Sequence, residues 1–385
     1  MSEQALRALH YSNVWLELTQ TWLHNQIRLL PAWVENHIVC RSIHNEATYP
    51  LPNIHCLKRD SMAWYLWTKA AWGLGFGQYN GYMGSVLDRV KPHVVHSHFG
   101  NSGWMNARMV AKRGLPHFVT FYGQDVSMLP REKPAWRSRY HELFHTPGTR
   151  FLCEGGHMVR ELIQLGCPPE KASLHRLGVE VDSIRFQTRA WNRNEPYRVL
   201  IAGSFREKKG IPYALEALGR LRRETPLEVT VIGDAGSAAE KSRILEVIAR
   251  QGLTDCVKLL GFQPHRVFFE ESYRHHLFLS PSVTAASGDT EGGAPVSLIE
   301  MVATGIPVVS SFHCDIPEVV LHGQTGWLAP ERDVDGIVAA IRQWLANPDH
   351  WDSMVRAGRE HVERNYASKT QAELLSGLYR KALAS

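Results

Sequence analysis

The chain has 385 residues, 44% of them hydrophobic and 21% charged, with a net charge of +5, which suits an ordinary globular protein long enough for two domains with separate cores. No apolar run approaches the ~18–20 residues of a membrane-spanning helix, and the opening MSEQALRALHYS lacks the long apolar stretch of a secretory signal. Six cysteines (Cys40, Cys56, Cys153, Cys167, Cys256, Cys314) stand far apart without a CxxC pair, so they read as reduced thiols of a cytoplasmic protein, and neither a disulfide framework nor a zinc site is expected.

The charge is uneven. Up to Ala190 there are 21 lysines and arginines against 14 acidic residues; the remainder has 22 against 24, and eight of the twelve tryptophans precede Ala190. A basic, tryptophan-rich half reads as a peripheral contact with an anionic surface such as a membrane, or as a solvated surface over a Trp-rich core. No nucleic-acid partner is expected.

In chain order, ALRALHYSNVW predicts a first strand and LTQTWLHNQIRLLP a first helix stopped by Pro31. PHVVHSHFG, LPHFVTFYG and TRFLCEGG read as strand-then-turn segments, and NSGWMNARMVAKRG and HMVRELIQLG as helices closed by Gly114 and Gly166. The polar stretch FQTRAWNRNEPYR has no periodicity and predicts a linker. Beyond it the apolar runs YRVLIAGSF, LEVTVIGD, DCVKLLGF, HHLFLSPS and GIPVVSS alternate with helical stretches, as βαβ units of a parallel sheet covered on both faces do. The expected division is a first domain over 1–190, a second over 191–365, and a terminal helix over 366–385 that could pack back on the first. Open parallel sheets bind ligands at the carboxyl ends of their strands, so two sheets facing a cleft would suit group transfer away from water.

The segment PSVTAASGDTEGGAPVSLIEMVATGIPVVSS, Pro281 to Ser311, reads as a strand end, a small-residue loop and a helix carrying Glu300. The backbone N–H groups of Gly292, Gly293 and Ala294, near a helix N-terminus, can bind phosphate or sugar oxygens. Glu291 in the loop can accept hydrogen bonds from sugar hydroxyls, and Glu300 can hold a ribose diol. An isolated Glu-Gly pair would read as a surface glutamate beside a capped helix; here loop, two carboxylates and flanking strands coincide.

On these residues the chain resembles the retaining glycosyltransferases of family 4, with the GT-B fold. The resemblance covers most of the chain and is densest from Val199 to Pro330. It implies two Rossmann-like parallel-sheet domains facing a central cleft, one for a nucleotide-sugar donor and one for an acceptor. The family spaces two glutamates by seven residues; eight separate Glu291 from Glu300 in EGGAPVSLIE, so the loop must bulge to restore Glu291.

GSFREKKG, Gly203 to Gly210, follows a buried strand, and a glycine turn followed by Arg206 and Lys209 can neutralise a diphosphate leaving group. Lys209 sits where the family's lysine does, whereas Ser204 replaces the arginine that usually follows Gly203. Lys208 fits a basic turn capping a helix. In the first half, HSHFG (His96 to Gly100) and VTFYGQD (Val119 to Asp125) look like the family's HxHF and T-x-HG-x-D segments, with Tyr122 in place of the usual histidine. The resemblance implies that Tyr122 and Asp125 serve the transferred sugar or leaving group, with His98 sharing the work. His96 reads equally as a satisfied strand-end histidine. In GVEVDSIRF, Gly178 and Asp182 are read as structural or donor-adjacent.

Three other features carry less. GLGFG at Gly73 fails as a dinucleotide fingerprint, since Gln78 stands at the last glycine position and no strand precedes it. The aromatic run Trp64 to Trp72 reads as helix packing ahead of a membrane anchor. Asp289 and Glu291 could mimic a metal-holding pair, but basic residues already stand ready for the diphosphate, and no metal is expected.

The reading is a retaining hexosyltransferase that takes a nucleoside-diphosphate sugar as donor, UDP ahead of GDP, without an obligatory cofactor. It would act on a glycan, lipid-linked or small-molecule acceptor in cell-envelope or exopolysaccharide synthesis, in the cytoplasm or at the inner membrane face. Catalytic roles fall to Lys209, Arg206, Glu291, Tyr122 and Asp125; donor contacts fall to Gly203, Ser204, Arg206, Lys209, Glu291, Gly292, Gly293, Ala294 and Glu300. The alternatives are a UDP-sugar 2-epimerase and a non-catalytic nucleotide-sugar binder.

Overall fold

The computed structural model describes residues 5–17, 20–78, 80–234 and 236–384. The chain divides into two units, Met1–Val179 with Ser368–Ser385, and Glu180–Ala367. Unit 1 holds seven strands: β1 (Leu6–Trp15), β2 (Val34–Ile43), β3 (Ile54–Cys56), β4 (Val94–His98), β5 (His117–Thr120), β6 (Thr149–Cys153) and β7 (Ala172–Leu174). They run parallel in the order β3-β2-β1-β4-β5-β6-β7. Unit 2 repeats the plan with β8 (Tyr197–Ala202), β9 (Leu227–Ile232), β10 (Val257–Leu259), β11 (Leu277–Ser280), β12 (Val308–Ser311) and β13 (Trp327–Ala329), parallel in the order β10-β9-β8-β11-β12-β13.

The central strands β8, β11 and β12 are buried on both faces, which is why they read as short, nearly unbroken apolar runs instead of alternating ones. Val199, Leu200 and Ile201 are all buried, and Val199 and Ile201 share a core with Leu215, Leu218, Val231, Leu279 and Ile341. The helices close where glycine can take a left-handed turn: Gly114 (φ +64°) follows the helix Gly100–Ala111, and Gly166 (φ +99°) follows Gly156–Gln164. Within the predicted first helix, Thr21–Arg28 is helical; its leading Leu18 and Thr19 lie outside the described residues.

The linker expected around Phe186 to Arg198 is corrected. Gln187 N–H donates to Thr304 O at 2.9 Å, and the Arg189 guanidinium donates to Ser272 O at 3.0 Å and Thr304 O at 3.3 Å. Trp191 packs edge-on to Tyr197 with centroids 5.2 Å apart. These bonds make the stretch a strap of unit 2, so the division falls at Val179/Glu180 and not at Ala190.

The last helix, Ser368–Ala384, belongs to unit 1. It lays Ala372, Leu375 and Tyr379 against Leu6, Ala8, Val94, Phe118 and Leu152. Gly178 makes room for its start, since a Cβ there would lie 2.4 Å from Ser368 Cα. Among the described residues, no helix is long and apolar enough to cross a membrane.

Candidate functional site

In each sheet the strand order reverses between two neighbours, β1 and β4 in unit 1 and β8 and β11 in unit 2. The helices that follow such neighbours lie on opposite faces, so their loops part and leave a crevice at the carboxyl ends.

In unit 2 the crevice is framed by the loops after β8 and β11. The β8 loop turns at Gly203, whose N–H donates to Ile232 O at 2.9 Å, and at Ser204, whose carbonyl accepts Arg206 N–H at 2.7 Å. A one-turn 3-10 helix, Glu207–Lys209, ends at Gly210 in a left-handed conformation (φ +63°). A Cβ on Gly210 would lie 1.9 Å from Pro281 O, so only glycine lets this loop pass so close to the β11 loop.

That approach brings charges together. Lys209 Nζ lies 2.9 Å from Glu291 Oε1, and Ser282 Oγ donates to the same oxygen at 2.8 Å. Lys208 Nζ donates to Thr290 O at 2.7 Å and to Asp289 Oδ1 at 3.3 Å, while Arg206 donates to Asp289 Oδ2 at 2.6 Å. Burial alone would push the Glu291 carboxyl up; the charges of Lys209 and Lys208 and the bonds from Lys209 and Ser282 outweigh it and hold the group at about 2. Three cations against two carboxylates leave the cluster one positive charge in excess.

Sequence reasoning missed what positions Glu291. Its backbone N–H donates to His313 Nε2 at 3.1 Å, and His313 Nδ1 lies 2.6 Å from Glu331 Oε1. With Nε2 accepting, Nδ1 is the donor to the carboxylate. Glu331 also accepts Thr284 N–H at 2.7 Å, tying both ends of the β11 loop to one residue. His313 stands just past β12, and the rule that strand ends carry function could have found it.

Glu300 lies apart in its bonding. It sits on the helix Val296–Thr304, almost buried, with Oε2 3.0 Å from His265 Nε2. That hydrogen bond raises the His265 pKa, burial opposes it, and the Glu300 charge adds to the rise. Of the loop amides, Gly292 N–H donates to Thr290 Oγ1 at 3.2 Å. The N–H groups of Gly293 and Ala294, just ahead of the helix, make no backbone bond among the described residues.

In unit 1 the crevice is a cavity of about 320 Å³ lined by Ser12, Asn13, Glu17, Asn101, Gln124 and Asp125, among others. Asp125 spans two strand-end loops: one oxygen accepts Gly100 N–H at 2.6 Å and the other Tyr122 N–H at 2.8 Å. Burial raises its pKa to about 7, although both backbone bonds pull the other way.

Tyr122 does not offer its hydroxyl to this cavity. The ring packs on Trp22 and Phe99, and Oη lies 2.8 Å from Nδ1 of the fully buried His98, whose Nε2 lies 3.2 Å from His10 Nδ1. The expectation that Tyr122 and His98 meet substrate through their side chains is therefore corrected: both are spent inside the fold. His96 is likewise internal, bonded to Tyr379 Oη at 2.6 Å and Thr120 Oγ1 at 2.7 Å. Burial holds His10, His96 and His98 neutral. Their ligating atoms are close enough for a metal; His96 and His98 stack at 4.4 Å with both ring nitrogens of each already partnered, while Nε2 of His10 has no hydrogen-bond partner among the described residues.

Residues 20–183 match the family model described as Glycosyltransferase Family 4, and residues 183–361 the model described as Glycosyl transferases group 1. The chain is 37% identical over 291 residues to AmsK of Erwinia amylovora, an amylovoran biosynthesis glycosyltransferase, covering 73% of this chain and 69% of that one. It is 32% identical over 292 residues to WcaL of Escherichia coli, assigned to colanic acid biosynthesis, covering 74% and 69%. The structure of Anabaena HepE in complex with UDP and glucose aligns over 98% of this chain and 100% of that one, with a TM-score of 0.76 at 13% identity, which establishes the shared fold.

Proposed function

The chain belongs to glycosyltransferase family 4, and from that premise we propose that it moves a hexose from a nucleoside-diphosphate sugar, UDP ahead of GDP, to a glycan or lipid-linked acceptor in exopolysaccharide synthesis. The observation that carries this reading is the cationic crevice of unit 2, where Arg206, Lys208 and Lys209 meet Asp289 and Glu291 at a sheet's switch point. An incoming diphosphate would compete with the two carboxylates for these cations, and Lys209 and Arg206 would carry the charge that builds on the departing phosphate. Released from Lys209, Glu291 would orient the sugar hydroxyls, and a ribose diol would take the place of His265 on Glu300. The N–H groups of Gly293 and Ala294 would face the donor near the positive end of their helix.

Family resemblance supports retention of the anomeric configuration. In that step the bond from C1 to the phosphate oxygen breaks and a bond to the acceptor oxygen forms on the same face. The acceptor proton passes to the leaving diphosphate, which departs as the nucleoside diphosphate. Acceptor saccharide is read onto the unit 1 cavity, where Asp125 holds its walls and Glu17, Asn13, Asn101 and Gln124 supply polar groups. The kinship with AmsK and WcaL supports the polysaccharide assignment, and we place the enzyme in the cytoplasm, peripheral to a membrane.

The test is thermal stabilisation by a panel of UDP-, GDP-, ADP- and TDP-sugars, followed by product analysis. A donor at ~100 times its dissociation constant adds about 2.7 kcal/mol of stability, and a shift with one nucleotide fixes the base. No shift with any of them would overturn the donor reading. A new nucleotide sugar formed without acceptor would point instead to an epimerase.

A further inference from the structure

The helix Met62–Gly73 is held to unit 1 by one face only. Its N-terminus is capped by Ser61, whose side chain accepts Trp64 N–H. Trp64, Tyr65 and Trp72 pack inward beside Leu57, Tyr82, Met83 and Val86; Trp64 stands edge-on to Tyr82, and Arg41 lies over Trp72. Helix packing accounts for those three aromatics. It does not account for Met62, Leu66 and Trp67, which are 50%, 58% and 61% exposed on the outer side, or for Leu74 and Phe76 just beyond the helix at 75% and 64%. The last two ride on a turn whose Gly75 has φ +92°, and a Cβ added at Gly73 or Gly75 would meet nothing within 4 Å. This is the densest run of exposed large apolar side chains in unit 1, and such patches mark surfaces that something covers.

The charge beside it selects the occupant. Lys58, Arg59 and Lys69 are exposed along the same segment; Arg59 is paired with Glu46 at 3.0 Å and with Asp60, which also meets the Tyr82 hydroxyl, so Lys58 and Lys69 supply the excess positive charge. Unit 1 as a whole carries 22 lysines and arginines against 13 acidic residues, a net +9, and unit 2 carries 21 against 25, a net −4. A second copy docked about a twofold axis would set this basic segment against itself. A bilayer with anionic headgroups takes both features at once, the cations at the headgroups and the tryptophan, leucine and phenylalanine side chains at the acyl boundary.

We propose that the outer face of Met62–Gly73, together with Leu74 and Phe76, docks unit 1 on an anionic lipid surface. The inference gives the peripheral membrane contact of the proposed function a definite place, and it does not depend on which donor the enzyme uses. A lipid-linked acceptor would then be met where it resides.

The experiment is co-sedimentation with phosphatidylcholine vesicles, with and without about 30 mol% phosphatidylglycerol, using the full chain. Wild type is expected to pellet with the anionic vesicles and to stay in solution with the neutral ones. The exposed variant W67S/L74S/F76S, and separately K58E/K69E, should each weaken binding by ~10-fold or more. Both should keep the wild-type melting temperature and the wild-type shift with nucleotide sugar, which separates failure here from failure of the donor reading. If the triple variant misfolds, the charge variant carries the test alone. Wild type that ignores anionic vesicles, or variants that bind them as well as wild type, would overturn the proposal. So would a dimer that the triple variant dissolves without any vesicle binding, which would give the face to a second copy.

Discussion

Lys209 Nζ and Glu291 Oε1 stand 2.9 Å apart across two loops that sequence separates by about eighty residues. The pair is mostly shielded from solvent, Lys209 helps to hold Glu291 ionised, and removing either leaves a charge without its partner. Lys209→Ala should lower transfer by at least ~100-fold, the scale of losing one preorganised donor at a developing negative charge. Glu291→Gln should cost about 2 kcal/mol of unit 2 stability through the lost charged hydrogen bond. The double variant should cost less than the sum of the two in denaturant unfolding. Strict additivity would mean that the pair is not coupled.

The same pair sets an acid limit. With Glu291 held at about 2 in the fold against 4.5 in an open chain, its contribution to stability is complete above pH 4.5 and is lost as pH falls toward 2. Asp125 has the opposite sign. Its folded pKa of about 7 lies above the ordinary 3.8, so the unfolded chain gives up the proton first and unit 1 loses stability as pH rises from about 4 to 7. Thermal melts across both windows, repeated with Asp125→Asn, should show the upper slope flatten in the variant; an unchanged slope would clear Asp125 of it.

Tyr122→Phe separates two roles. A substrate-contacting hydroxyl would cost activity and leave stability alone. The bond to buried His98 predicts the reverse: about 1–3 kcal/mol of stability lost, because the imidazole nitrogen is left without a partner, and kcat within a few fold of wild type. Activity and urea unfolding measured side by side decide between them.

Gly210→Ala should be among the most damaging small substitutions in unit 2. It forces a Cβ into a left-handed residue and onto Pro281 O at 1.9 Å. The loops must part to admit it, carrying Lys209 away from Glu291. A loss of nucleotide-sugar stabilisation larger than the fall in melting temperature would show that the approach of the loops matters to binding.

Much of this architecture is legible in the amino-acid sequence, and some of it is not. Strands β8 to β12 were legible because a sheet covered on both faces leaves short β-branched runs, whereas the three-residue β13 (Trp327–Ala329) was not; the lysine turn and glutamate loop were legible because both follow such runs. β2 was not, since VENHIVCRSI mixes polar and apolar residues, and neither was the three-residue β3. The strap from Phe186 to Trp191 read as a linker because its bonds run from backbone and guanidinium groups to carbonyls of residues far along the chain, which leaves no periodic trace. Tyr122 was placed correctly at a strand end, but sequence does not say which way a ring turns. The pairing of His313 with Glu331 depends on two loops meeting, and only the fold supplies that.

The last helix has a consequence for how the molecule is made. Residues Glu180–Ala367 form one uninterrupted stretch, whereas the first unit is completed by Ser368–Ser385. On the ribosome, unit 2 can close as soon as its own residues emerge. Unit 1 must wait, with Leu6, Val94, Phe118 and the His96 imidazole uncovered, until Leu375 and Tyr379 leave the exit tunnel. The first half to be translated is therefore the last to be finished, and a premature stop between Ala367 and Leu375 would release a complete second domain tethered to an unsealed first one.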